Sequence, residues 1–103
     1  MKIELLVVDA CPNVAPARAA LRRVLDRAGL DAPIATVVID DDDQAQARSF
    51  LGSPSFHIDG HDVFPAPGSQ PGVACRVYPT AAGLRGVPDD HALGAAVAAR
   101  TGR

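Results

Sequence analysis

The chain opens on a nearly continuous apolar run, Ile3, Leu5, Leu6, Val7 and Val8, broken once by Glu4 and ended by Asp9. A strand covered on both faces reads this way, and the run predicts a first strand over 2–8. After a turn at 9–13 the period changes. Val14, Leu21, Val24, Leu25 and Ala28 fall on one helical face, and Arg18, Arg22, Arg23 and Arg27 point mostly elsewhere. This predicts an amphipathic helix over 14–28, with Gly29 as its C′ residue. A second β-branched strand is expected over 34–39. Asp40 to Asp43 then open a short helix that runs to about residue 51 and is closed by Gly52. A third strand is expected over 54–59, with Gly60 as a turn and 62–63 still able to pair. Residues 64–72 hold three prolines and two glycines and read as a loop. A fourth strand is expected over 73–78, an irregular stretch over 79–88, and a last helix over 89–101 with Asp89 or Asp90 as its cap.

The order is therefore βαβ, then α, then ββα. The first two strands need a right-handed crossover and so lie parallel. The third and fourth, joined without a helix, should be antiparallel. The expected class is α/β with a mixed four-stranded sheet. At 103 residues the chain makes one domain, 1–103, with no internal repeat.

Composition changes this picture little. Hydrophobic residues make up 48%, but aromatics only 4%, so the core must rest on Val, Ile and Leu. The net charge of −2 gives no footprint for nucleic acid or an anionic membrane, and neither is expected as a partner. Nine of the ten basic residues are Arg, which with the abundance of Ala points to coding bias rather than a binding surface. No signal peptide or membrane span is read, so the expected location is cytoplasmic. In a reducing compartment two cysteines are expected to be thiols, metal ligands or redox groups rather than a structural staple.

Cys11 stands at the strand–helix turn. Unpaired N–H groups at a helix N-terminus favour a thiolate, and Pro12 stiffens the turn while lacking an N–H of its own. Asp9 works against the thiolate, although it could shuttle a proton. The alternative is an inert cysteine in a turn of small residues. Cys75 lies in Ala74-Cys75-Arg76-Val77-Tyr78. It is either core filler or, if the fourth strand ends near the first helix, a redox partner or soft-metal ligand for Cys11. A disulfide requires the two Cα atoms to lie within about 7 Å. Pro54 at the start of a strand is ordinary by itself.

Other candidates are weaker. Asp40 to Asp43 suit a helix dipole better than a metal. His57 and Asp59 share a strand face opposite Phe56 and Ile58, and that face is expected to meet solvent. His57 and His61 lie four apart without a metal-binding helix, and His91 sits unremarkably near the last helix's start. No metal ligands and no cofactor are expected. A C-x5-R oxyanion loop is excluded because Ala17 occupies the arginine's place and Arg18 comes one residue late. Val8 stands where a peroxidatic cysteine would keep Thr or Ser.

The element order, Cys11-Pro12 at the first turn, and Gly52-Ser53-Pro54-Ser55-Phe56 followed by Ile58-Asp59-Gly60 resemble the thioredoxin fold. The resemblance implies a three-layer α/β/α arrangement in the order β-α-β-α-β-β-α. It also implies a reactive thiol at Cys11, a cis peptide bond before Pro54, and partner contacts at Pro12, Asn13, Ser53 and Pro54. The family's C-x-x-C motif is incomplete here, because Val14 replaces the second cysteine. A second likeness is narrower. Gly52–Pro54, Asp59–Gly60 and Cys75–Thr80 resemble small actinobacterial-type sequences grouped with the organomercurial (alkylmercury) lyases. The lyases' acidic proton donor, three positions after the first cysteine, is again Val14. Three functions follow as expectations. One is thiol redox chemistry at Cys11 with Cys75, on a protein thiol partner. The second is binding of a soft metal ion or organomercurial. The third is a non-catalytic binding domain.

Overall fold

The computed structural model describes residues 1–102. The chain runs β1 (Ile3–Val7), α1 (Val14–Arg27), β2 (Ile34–Val38), α2 (Asp42–Arg48), β3 (Ser55–Ile58), β4 (His61–Asp62), β5 (Tyr78–Thr80), β6 (Gly83–Arg85) and α3 (Asp90–Thr101). Its main sheet is four-stranded and mixed, in the order β2-β1-β3-β4. All five residues of β1 are buried, as its central place requires. It pairs in parallel with β2 from Ile3↔Ile34 to Val7↔Val38, and antiparallel with β3 from Ile3↔Ile58 to Leu6↔Ser55.

Strand side chains alternate between faces, so the sheet supports two cores. On one face Ile3, Leu5, Val7, Phe56 and Ile58 pack with Leu21, Val24 and Leu25 of α1 and with Leu93 and Val97 of α3. On the other, Leu6 packs with Ile39, Ala45 and Phe50 beside α2. Helices thus cover both faces. Arg23 joins α1 to α3 through a two-pronged bond to the Asp90 carboxylate, with both contacts at 2.9 Å. That guanidinium holds the Asp90 carboxyl below its ordinary range.

Local chemistry explains the ends of the helices. Gly29 takes a positive φ of 71° just beyond α1, and the Leu30 N–H returns to the Leu25 carbonyl at 2.9 Å. At the start of α2 the Asp41 carboxylate accepts from the Gln44 N–H at 2.8 Å, and Gln44 Oε1 accepts from the Asp40 N–H at 3.0 Å. These two bonds satisfy donors in both directions, a variant of the capping box in which Gln44 reaches the residue before the N-cap Asp41. The run of aspartates is thus a helix start. The helix ends earlier than its sequence suggests. Ser49, not Gly52, takes the left-handed turn, because Phe50 swings into the second core and is fully buried there.

The fourth strand is not where alternation places it. Asp59 and Gly60 both adopt positive φ, 52° and 82°, which suits a tight two-residue hairpin. The chain therefore doubles back at once, and His61–Asp62 becomes β4, pairing His57↔Asp62 and Ile58↔His61. Residues 73–77 make only one parallel bridge, Ser53↔Cys75. Tyr78–Thr80 then leaves the main sheet to pair with Gly83–Arg85, so the stretch expected to be irregular contains a small hairpin.

Candidate functional site

Cys11 sits just beyond the sheet's central strand. The Val8 N–H donates to Ser53 Oγ at 3.0 Å, and the chain then turns through Ala10 at a φ of 56°. The Cys11 N–H reaches the Val8 carbonyl at 3.4 Å, and the Cys11 carbonyl accepts from Val14 at 3.4 Å. The thiol is free and half-buried. Asn13 is the N-cap residue of α1 but makes no side-chain capping bond, and the first turn carries no acidic residue. Its side chain lies instead against Gly86, where an added Cβ would fall 2.2 Å from Asn13 Nδ2. Pro12 is exposed and Asn13 half-buried.

Cys75 reaches the same end of the sheet by another route. The Ser53 N–H donates to the Ala74 carbonyl at 2.8 Å, and the Arg76 N–H donates to the Ser53 carbonyl at 3.0 Å. Val8, Ser53 and Cys75 therefore form one row across three neighbouring segments. Two strand spacings of about 4.8 Å set Val8 and Cys75 about 10 Å apart. Cys11 follows Val8 by three residues, and its N–H returns to the Val8 carbonyl. Cys75 is exposed, and its thiol too is free.

Ser53 and Pro54 are fully buried and joined by a cis peptide bond. Both Ser53 main-chain groups are taken by residues 74–76, and the Pro54 carbonyl accepts from Tyr78 Oη at 2.5 Å. The Ser53 main-chain groups and the Pro54 carbonyl, expected to meet a partner, are thus bonded within the chain and act as internal fasteners.

Sequence reasoning missed Arg76. Its Nη1 donates to Asp62 Oδ2 at 2.6 Å and to Ser55 Oγ at 3.1 Å, and its Nη2 donates to the Phe64 carbonyl at 2.6 Å. The guanidinium carbon also lies 4.9 Å from the centroid of the Tyr78 ring. One planar cation thus fixes β4, the chain after it, and the residue next to Cys75. The only hint in the sequence is a lone arginine between Cys75 and Val77 in an otherwise apolar run.

His57 also departs from expectation. It does not face solvent but is 3% exposed, in a row between Glu4 and Asp62 on the α2 side of the sheet. Its Nε2 has no hydrogen-bond partner and lies 4.0 Å from Asp62 Oδ2. Glu4 is bonded to Arg48 at 3.1 Å, with Lys2 at 3.7 Å. Burial is the dominant influence and lowers the imidazole pKa, while the Asp62 and Glu4 carboxylates oppose it. A histidine depressed in the fold titrates at about 6.5 once unfolded, so the unfolded state binds the proton first as pH falls. The stability it confers is whole above about pH 6.5 and is lost below it, towards the folded pKa. Urea unfolding at pH 5 and pH 7.5 is expected to show a loss on acidification that His57→Gln reduces; an unchanged slope would remove His57 from the account.

Among the described residues no group of three or more His, Cys, Asp or Glu side chains is placed to hold a metal ion, and no helix is long and apolar enough to cross a membrane. Comparisons with protein-family models, curated proteins and solved structures give no match for this chain.

Proposed function

We propose that this chain is a thioredoxin-like thiol protein in which Cys11 and Cys75 act together in thiol–disulfide exchange. The observation that carries this reading is the row Val8–Ser53–Cys75, which brings the two free thiols to one end of the sheet. The mixed sheet with helices on both faces, and the first cysteine between β1 and α1, are what support the thioredoxin-like part. Val14 leaves the turn without its usual second cysteine, and Cys75 takes that role from a distant segment.

In the proposed reaction the exposed Cys75 thiolate attacks a partner's disulfide. A bond forms between Cys75 and one partner sulfur, and the partner's S–S bond breaks, releasing its other sulfur as a thiolate that takes up a proton. The Cys11 thiolate then attacks Cys75 Sγ. The mixed disulfide breaks, the partner leaves as a dithiol, and the protein holds a Cys11–Cys75 disulfide. The partner has been reduced by two electrons and the protein oxidised by two. Closing that bond requires the two Cα atoms to come within about 7 Å, which a shift of the exposed Cys75 segment can supply. A reducing compartment would regenerate the two thiols. Carbon–mercury cleavage is not part of this reading, since Val14 stands where its proton donor would be.

Oxidation with glutathione disulfide, followed by intact mass measurement, tests the pair. The wild type is expected to lose two hydrogens and carry no glutathione. Cys11→Ser and Cys75→Ser are each expected to stop at a single glutathione adduct. A wild type that carries two adducts and no internal disulfide would overturn the reading.

A further inference from the structure

The pairing with Ser53 has a second side. In an extended segment, successive residues turn their N–H and C=O groups to opposite edges. The Ala74 carbonyl and the Arg76 N–H are bonded to Ser53, so those of Cys75 point outward, and no described residue bonds them. Val73 and Val77, two residues either side of Cys75, are 44% and 59% exposed. An uncovered edge with apolar side chains is one that proteins ordinarily blunt with charge or cover. Here it carries an exposed thiol at its middle.

The edge is also limited and polarised. Pro71 and Pro79, which cannot donate, bound it to about five residues. At its start the chain bends at Val73, whose N–H donates to Asp42 Oδ1 at 3.5 Å, so the open main-chain groups begin at Cys75. Asp40 to Asp43 are all exposed, and none is in an ion pair among the described residues. A strand laid along this edge would meet main-chain groups at Cys75, apolar side chains on either side, and negative charge at the Val73 end.

We propose that the outer edge of residues 73–77 takes an extended segment of a partner protein as an added strand, apolar at its centre and basic at the end nearest Asp42, with the partner's cysteine laid beside Cys75. This rests on the thiol–disulfide reading above and names its substrate class: a protein segment carrying a disulfide, rather than a small disulfide. The affinity comes from main-chain pairing and the choice of segment from the alternate side chains.

Reaction rates of Cys75 in the Cys11→Ser protein test it. The probe is an acetylated, amidated peptide, Lys-Val-Cys-Val-Thr, whose cysteine is held in a disulfide with 2-nitro-5-thiobenzoate. The Cys75 thiolate attacks the peptide sulfur, a Cys75–peptide disulfide forms, the old S–S bond breaks, and the coloured thiolate leaves. The comparison is the same disulfide of N-acetylcysteine amide, which has the chemistry but no strand. The peptide is expected to react about tenfold faster, as one or two net main-chain bonds allow. N-methylation at the cysteine and N-methylation at both valines block opposite edges of the peptide. One of these changes should abolish the gain and the other should spare it.

Equal rates for peptide and small disulfide would overturn the docking edge, as would loss of the gain in both methylated peptides or in neither. Replacing the peptide's lysine with glutamate should slow it at low salt; indifference to that charge would overturn the basic preference. The absolute rate with the small disulfide reports on the thiol itself. A gain for the peptide, together with an internal disulfide that fails to form in the wild type, would keep the edge and remove the two-thiol reading.

Discussion

Arg76→Ala is expected to destabilise the protein by about 3–5 kcal/mol, the range for removing one partner of a buried ion pair. The Arg76 and Asp62 side chains are only 11% and 10% exposed, and their contact is 2.6 Å. Without the guanidinium, the Asp62 carboxylate keeps the Phe64 N–H at 2.8 Å but no cation, with the neutral His57 at 4.0 Å, and the Phe64 carbonyl loses its donor. Urea unfolding monitored by circular dichroism measures the cost. Arg76→Lys should recover part of it, since one ammonium can meet Asp62 but cannot also fork to Phe64 and Ser55. Arg76→Met combined with Asp62→Leu should recover more, because no buried charge is then left alone. If Arg76→Ala unfolds within about 1 kcal/mol of wild type, the pair is too solvated to anchor the Cys75 segment.

Gly52→Ala is expected to damage the same region from the other side. Gly52 has a φ of 130°, a conformation that costs a side-chain-bearing residue about 1–3 kcal/mol. Space adds to that cost. A Cβ there would lie 2.9 Å from the Arg76 Cβ and 3.2 Å from both the Arg76 nitrogen and the Cys75 carbonyl carbon. Two of these three atoms are backbone, so the substitution must push the 74–76 segment away from Ser53. Stability should fall, and formation of the Cys11–Cys75 disulfide, which requires that segment to shift, should speed up. Gly60→Ala supplies the control. Its φ of 82° is also positive, but nothing lies within 4 Å of the added atom, so it should cost backbone strain alone. If the two variants lose equal stability and oxidise at wild-type rate, the close approach of Gly52 to Arg76 does not hold the site.

Much of the framework was legible because it is local. The apolar run of β1, the change of period into α1, the β-branched β2 and the acidic start of α3 each carry their own signal within a few residues, although the Asp89 carboxylate at the N-cap of α3 bonds the Ala81 N–H and not the helix. Cys11 was placed by that same local reading. Residues 73–77 misled because Val73 and Val77 alternate as a buried strand's residues would, yet both are exposed. The pair that decides their position, Arg76 with Asp62, spans 14 residues and has no periodic signature. His57 was misplaced for a related reason. Its alternation with Phe56 and Ile58 correctly gave the opposite face, but a strand pattern does not say whether a short helix will cover that face. Ser53 looked like a residue awaiting a partner, and its partner is a part of the same chain 21 residues on.

Ser53 ties together Val8, Ala74 and Arg76 with three hydrogen bonds, one spanning 45 residues and the others more than 20. Loop closure over such separations costs little more than over shorter ones, so what orders this end of the sheet is the docking of residues 74–76 onto the buried Ser53. Undocking of that one segment would free Cys75 while Cys11 stays mounted on the central strand and its helix.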